Sequence, residues 1–186
     1  MTSRVAVVGA GYFAQFHVQG WQAAGASVVA LCDTDANKAS ALAERFSIRQ
    51  VFSDATRMIE ETLVDVVDVV LPPIAQAQTV RASLAKGILT VCQKPFGVDV
   101  AQAQSLTEEA ERQGTRLVIH ENFRFSPWFR ECKRLINTGH FGRLHGITFR
   151  LRTGDGQGPD AYLDRQPYFQ KMPQLLIRET GVHYID

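Results

Sequence analysis

The segment Gly9-Ala10-Gly11-Tyr12-Phe13-Ala14 lies directly after the apolar run Val5 to Val8 and directly before a stretch of helical composition. A Gly-x-Gly-x-x-Ala turn in that position restricts the chain to the strand, tight turn and helix of a dinucleotide-binding unit. Each small residue has a separate reason to be there. Gly9 permits the sharp turn, Gly11 lets the backbone approach a pyrophosphate with no Cβ in the way, and Ala14 lets the helix pack closely on the strand. Tyr12 and Phe13 complete the loop, whose amides at the helix start face the phosphates. Asp33 ends the second apolar run, 24 positions after Gly9, where a carboxylate can accept hydrogen bonds from the adenosine ribose hydroxyls. That carboxylate favours NAD over NADP, because a 2′-phosphate would meet a negative charge there and Thr34, Asp35 and Ala36 offer no arginine to offset it. Lys38 and Arg45, farther along the chain, keep NADP as the lesser alternative. Asp35 has a second use as an N-cap or first-turn acid.

Strand-length apolar runs recur at Arg4 to Val8, Val28 to Cys32, Val66 to Leu71, Ile88 to Cys92 and Leu117 to His120. Several are Val-rich, as strands of a parallel sheet buried on both faces require. Between them, Phe13 to Ala24, Ala36 to Phe46, Ala75 to Lys86 and Val100 to Gln113 have the length of crossover helices, with Gly25, Gly87 and Gly114 at their ends. This alternation predicts an α/β fold, a Rossmann-type doubly wound parallel sheet over residues 1–121. Beyond it the texture changes. Residues 122–186 read as the incomplete start of an α+β substrate and oligomerisation domain. Its expected parts are a helix from Ser126-Pro127 to Asn137, a strand over Leu144 to Arg152 and a Gly-, Gln- and Asp-rich loop from Thr153 to Pro159.

Composition removes several classes of function. The 186 residues carry a formal net charge of +1, too weak a field to recruit nucleic acid or an anionic membrane, so small-molecule partners are expected. The most apolar region, Leu63 to Leu71, is interrupted by Asp65 and Asp68 and falls short of a membrane span. The amino terminus shows no export signal, and a cytoplasmic location is the expectation. Cys32, Cys92 and Cys132 are odd in number and far apart, which suggests reduced, small apolar residues rather than a disulfide framework or zinc knuckle.

Two further groups carry chemistry. Lys94 follows a buried strand at its carboxyl end, the edge where open α/β sheets collect ligands, and a cation there can stabilise a developing alkoxide. Pro95 next to it restricts the backbone and favours a turn with a cis bond. Glu179, His183 and Asp186 are spaced i, i+4 and i+7, which on one α-helix places all three on a single face. A histidine there can take a hydroxyl proton as hydride leaves the same carbon, while a carboxylate one turn away fixes its tautomer. Two carboxylates and a histidine are also acceptable metal ligands, but no second histidine or cysteine stands close by, and no metal is expected.

Gln93-Lys94-Pro95, the amino-terminal glycine loop and the segment Glu179-Thr180-Gly181-Val182-His183-Tyr184-Ile185-Asp186 together resemble the Gfo/Idh/MocA oxidoreductases. Two positions depart from the family pattern: Gln93 stands for a glutamate and Glu179 for an aspartate. The resemblance implies that His183 is the proton acceptor with Lys94 nearby, and that Arg124 and Asp186 bind substrate hydroxyls. It sets Leu71 and Pro72 beside the nicotinamide ribose, with Gln76 where a histidine is common. Gln93 joins the cofactor contacts, as does Asn122 in Glu121-Asn122-Phe123-Arg124. Glu179 would orient His183 or Lys94. The expected activity is hydride transfer between a secondary alcohol of a sugar, polyol or inositol-like compound and NAD, in a homo-oligomer. A cofactor-binding module without turnover, or a redox-sensing regulator of the same fold, stays open beside it.

Overall fold

A computed structural model of the protein describes residues 2–151 and 158–185. The chain divides into two compact units, Met1–His120 and Glu121–Asp186.

The first unit is a six-stranded parallel sheet flanked by helices. In chain order it runs β1 (Arg4–Val8), α1 (Ala14–Ala23), β2 (Ser27–Cys32), α2 (Ala36–Arg45), β3 (Gln50–Phe52), α3 (Ala55–Glu61), β4 (Val66–Val69), α4 (Pro73–Ala85), β5 (Leu89–Gln93), α5 (Val100–Gln113) and β6 (Leu117–His120). The strand order is β3-β2-β1-β4-β5-β6, so the direction of winding reverses between β1 and β4. A crevice for ligands opens at such a reversal, outside the carboxyl ends of the strands.

The Val-rich runs become strands because both of their faces are covered. On β1, Val5 and Val7 pack with Ala14, Val18, Leu31, Ala39 and Leu42 on one side of the sheet. Ala6 and Val8 pack with Met58, Val67, Val69, Val80, Leu84 and Leu106 on the other. Helix starts are set by side chains that accept otherwise unpaired amides: Asp35 caps α2, Asp54 caps α3 and Asp99 caps α5. Gly114, in the left-handed region at φ 63°, ends α5.

The short edge strand β3 and the helix α3 fall where sequence reading left an unassigned gap. With three residues and a ladder partner on one side only, β3 owes its conformation to pairing with β2 rather than to its own pattern. Cys32 and Cys92 are buried, whereas Cys132 is exposed, and all three are free thiols. Burial, with Asp33 and Asp54 nearby, pushes the Cys32 thiol up to about 11, and burial pushes Cys92 higher still.

In the second unit, a 3₁₀ turn at Phe123–Phe125 leads into α6 (Pro127–Asn137). A 3₁₀ turn at Pro167–Lys171, a π-helical turn at Leu176–Gly181 and the single turn α7 (Val182–Ile185) follow. The strand expected over Leu144 to Arg152 is not formed: residues 144–151 are exposed and irregular. The alternation of Ile147, Phe149 and Leu151 supplies one face of a strand, but among the described residues this unit contains no strand to complete the ladder. Arg152 and residues 153–157 of the expected loop lie outside the described residues.

Two outcomes follow from this packing. Leu31→Ala, at a fully buried position of β2, is expected to lower the unfolding free energy by about 2–5 kcal/mol, read from urea denaturation. A maleimide added to native protein at neutral pH is expected to label Cys132 alone, with Cys32 and Cys92 reacting only after denaturation.

Candidate functional site

The turn after β1 is held on three sides. The Gly9 amide donates to the Cys32 carbonyl at 2.7 Å, and the Ala10 amide donates to Asp33 Oδ2 at 2.6 Å. A Cβ built on Gly9 would lie 2.3 Å from the Val70 carbonyl oxygen beyond β4, and the residue sits at φ 107°. Glycine is therefore required there for both reasons. Gly11 differs: a Cβ there would meet nothing within 4 Å. The space above its backbone is open, as a closely approaching pyrophosphate requires, and Ala14 beneath it is fully buried against the sheet. Helix α1 has no side-chain cap, unlike α2, α3 and α5, and no acidic residue in its first turn. Its positive end is thus left for an anion. Tyr12 and Phe13 are exposed on the loop and meet edge to face, ring centroids 5.4 Å apart.

Asp33 couples this turn to the β2 end, because its second oxygen accepts from the Asp35 amide at 2.8 Å. Each carboxylate oxygen keeps a further acceptor position for a ribose hydroxyl. The two cations that could have met a 2′-phosphate are engaged: Lys38 Nζ lies 3.4 Å from Asp35, and Arg45 Nη1 donates to Gln15 Oε1 at 2.9 Å. The donor set fits NAD.

At the carboxyl end of β5 the Lys94-Pro95 bond is cis. Gln76 acts here in a way its sequence position did not reveal. Expected to touch the cofactor, it is instead fully buried. Its Nε2 donates toward the carbonyls of Leu71, Gln93 and Pro95 at 2.8–3.0 Å, and its Oε1 accepts from the Gly97 amide at 2.9 Å. Its side chain braces the Lys94-Pro95 corner against the start of α4. Leu71 and Pro72 are half-buried at that start, and Gln93 Oε1 accepts from the Lys94 backbone amide at 2.8 Å.

In the second unit the expected single helical face is not continuous. Glu179 belongs to the π-helical turn and His183 to α7, so the regular 3.6-residue spacing does not carry through. Asp186 lies outside the described residues. The carboxylate that receives His183 is Glu121, which sequence reasoning missed: Glu121 Oε1 lies 2.6 Å from His183 Nδ1. The Phe123 amide donates to the same oxygen at 2.8 Å. Both side chains are buried, at 8% exposure for His183 and 7% for Glu121. Phe123 stacks on the imidazole at 3.8 Å with an interplanar angle of 11°. A carboxylate accepts only, so the Nδ1 proton points at Glu121. Asn122 and Arg124 flank Phe123 and are exposed. Tyr168 is pushed up to about 12 by burial and by the charge of Glu179, and its phenol oxygen accepts from Gln166 Nε2. It is therefore a protonated phenol throughout the physiological range.

Residues 3–121 match the profile of the GFO_IDH_MocA oxidoreductase family, with an NAD-binding Rossmann fold. Among relatives, D-apiose dehydrogenase of Paraburkholderia graminis is 30% identical over 182 residues, covering 97% of this chain and 47% of that protein. Inositol 2-dehydrogenase 4 of Saccharopolyspora erythraea is 32% identical over 186 residues, covering 98% of this chain and 52% of that protein. The chain thus spans about half the length of these relatives. An oxidoreductase from Agrobacterium radiobacter, crystallised with NAD+, L-tartaric acid and magnesium, superposes with a TM-score of 0.89 at 25% identity, covering 100% of this chain and 53% of that one. Scyllo-inositol dehydrogenase from Lactobacillus casei, with bound NAD(H) and scyllo-inositol, shares the fold at a TM-score of 0.72 and 20% identity, covering 76% of this chain and 43% of that one.

The contrast between the two glycines is testable. Gly9→Ala is expected to cost about 2 kcal/mol or more in urea denaturation, from positive φ and the carbonyl clash together. Gly11→Val is expected to leave stability within about 0.5–1 kcal/mol while weakening NADH binding at least about tenfold in a fluorescence titration.

Proposed function

Because the chain belongs to the Gfo/Idh/MocA oxidoreductase family, we propose that it oxidises a secondary hydroxyl of a sugar, polyol or inositol-like compound with NAD. The Glu121–His183 pair carries this reading. A buried imidazole whose Nδ1 proton is held by a carboxylate presents Nε2 as an acceptor, which is what removal of a hydroxyl proton needs. Bound NAD supplies the hydride acceptor at C4 of its nicotinamide.

The substrate O–H bond breaks as its proton passes to His183 Nε2, the carbonyl forms, and the carbon-bound hydrogen leaves as hydride. Glu121 keeps the ring in the acceptor tautomer and stabilises the imidazolium that results. Lys94 places a cation on the developing alkoxide, and the reverse sequence reduces a ketone. Glu179, Arg124 and Asp186 are assigned to substrate orientation and hydroxyl binding. Asn122, Leu71 and Pro72 are assigned to the nicotinamide half of the cofactor. The identities of the apiose and inositol dehydrogenases among the relatives support a polyhydroxylated substrate.

A second reading, a cofactor-holding module without turnover, draws on the chain's spanning about half the length of its relatives. NADH fluorescence titration combined with a screen of sugars, polyols and inositols, followed at the NADH absorbance, separates the two. Turnover that drops by about 10²–10⁴ in His183→Ala and in Glu121→Gln, with NADH affinity kept, is the expected outcome. Binding without turnover on any substrate favours the module. Turnover untouched in both Lys94→Ala and His183→Ala overturns the assignment of roles.

A further inference from the structure

Helix α1 carries a buried histidine that the proposed chemistry does not use. His17 is 7% exposed, and its ring lies edge-on to His120 with centroids 4.5 Å apart. Its Nδ1 lies 2.8 Å from Asp68 Oδ2 in the middle of β4, and its Nε2 lies 2.9 Å from Gln93 Nε2 at the end of β5. Trp21, one helical turn on, donates its indole N–H to the same Asp68 oxygen at 2.6 Å.

The proton positions follow from the hydrogen bonds. Gln93 Oε1 accepts from the Lys94 backbone amide, which fixes the orientation of the amide group. Gln93 Nε2 is therefore the group facing His17, and an NH₂ only donates. The ring's Nε2 must accept, so its proton is on Nδ1 and is given to Asp68. The chain Asp68, His17, Gln93, Lys94 amide is thus polarised in one direction, each member fixing the next. A glutamate at position 93 could not do this. Its carboxylate would accept from the Lys94 amide but could not donate to His17, and the ring would have to carry a proton on Nε2.

We propose that His17 is a positioning residue: as a neutral ring protonated on Nδ1, it holds the Gln93 side chain against the Lys94 backbone and so fixes the corner that presents Lys94. With Gln76 bracing the same corner through its carbonyls, the backbone on both sides of Lys94 is held by side-chain amides. The functional weight of this inference rests on the role proposed for Lys94, but its physical content does not.

The test uses the full chain without cofactor, so its failure is separate from a failure to bind NADH or turn over substrate. Nitrogen-15 spectra of the histidine side chains at pH 7.5 are expected to show two rings protonated on Nδ1 alone, those of His17 and His183. The signal lost in His17→Gln belongs to His17, and in Gln93→Glu that ring becomes protonated on Nε2. Hydrogen exchange of the Lys94 amide is the second readout. His17→Phe keeps the volume and loses both hydrogen bonds, and should speed exchange about tenfold. His17→Gln offers one donor and one acceptor, and should stay within about twofold of the parent chain. A wild-type His17 ring protonated on Nε2, or a Lys94 amide whose exchange is the same in the Phe and Gln variants, overturns the proposal. Should His17→Phe not fold, the Gln93→Glu spectrum still decides it.

Discussion

The whole first unit is organised around a near-contact of two backbones. Gly9, leaving β1, passes so close to the Val70 carbonyl beyond β4 that no side chain fits between them. This closeness occurs where the strand order reverses, and a larger residue would force apart the two central strands at the crevice itself. Asp33 answers from the other side, tying the same turn to the end of β2 through the Ala10 amide. The geometry of this loop is therefore a by-product of how three strands end together.

What the sequence revealed depended on where each residue's conformation is decided. Val5 to Val8 and Val66 to Val69 are buried on both faces, so their composition alone marks them as central strands. Gln50-Val51-Phe52 lies at an edge, with Gln50 and Val51 exposed, and takes its shape from β2, which no local pattern records. Leu144 to Leu151 shows the converse: a pattern suited to a strand, with no ladder to join among the described residues. At the site, Lys94 and the glycines are legible because a short motif carries their geometry. Glu121 is not, since its pairing with His183 bridges 62 positions and arises only when Phe123 turns the chain. The burial of Gln76 and its three carbonyl partners were not legible in the sequence, because they appear only in the fold.

Two histidines make the same first contact and serve different ends. His17 and His183 each direct Nδ1 toward a buried carboxylate, Asp68 in one case and Glu121 in the other. For His17 the opposite nitrogen is occupied by a glutamine amide, and the ring becomes a fixed strut. His183 stacks on Phe123 in a short helical turn, and its opposite nitrogen is the base of the proposed reaction. Environment rather than residue type separates the two roles.

The bare amino end of α1 has a thermodynamic meaning beyond recognition. Three other helices of the same unit close their first turns with an aspartate, and each is complete as soon as it folds. In the proposed cofactor complex, a phosphate from outside supplies that closure for helix α1. Part of its cohesion is deferred until the dinucleotide arrives, and the folded state gains resistance to unfolding in proportion to the logarithm of cofactor concentration once its dissociation constant is exceeded. Saturation with cofactor and structural integrity are therefore coupled through one helix end.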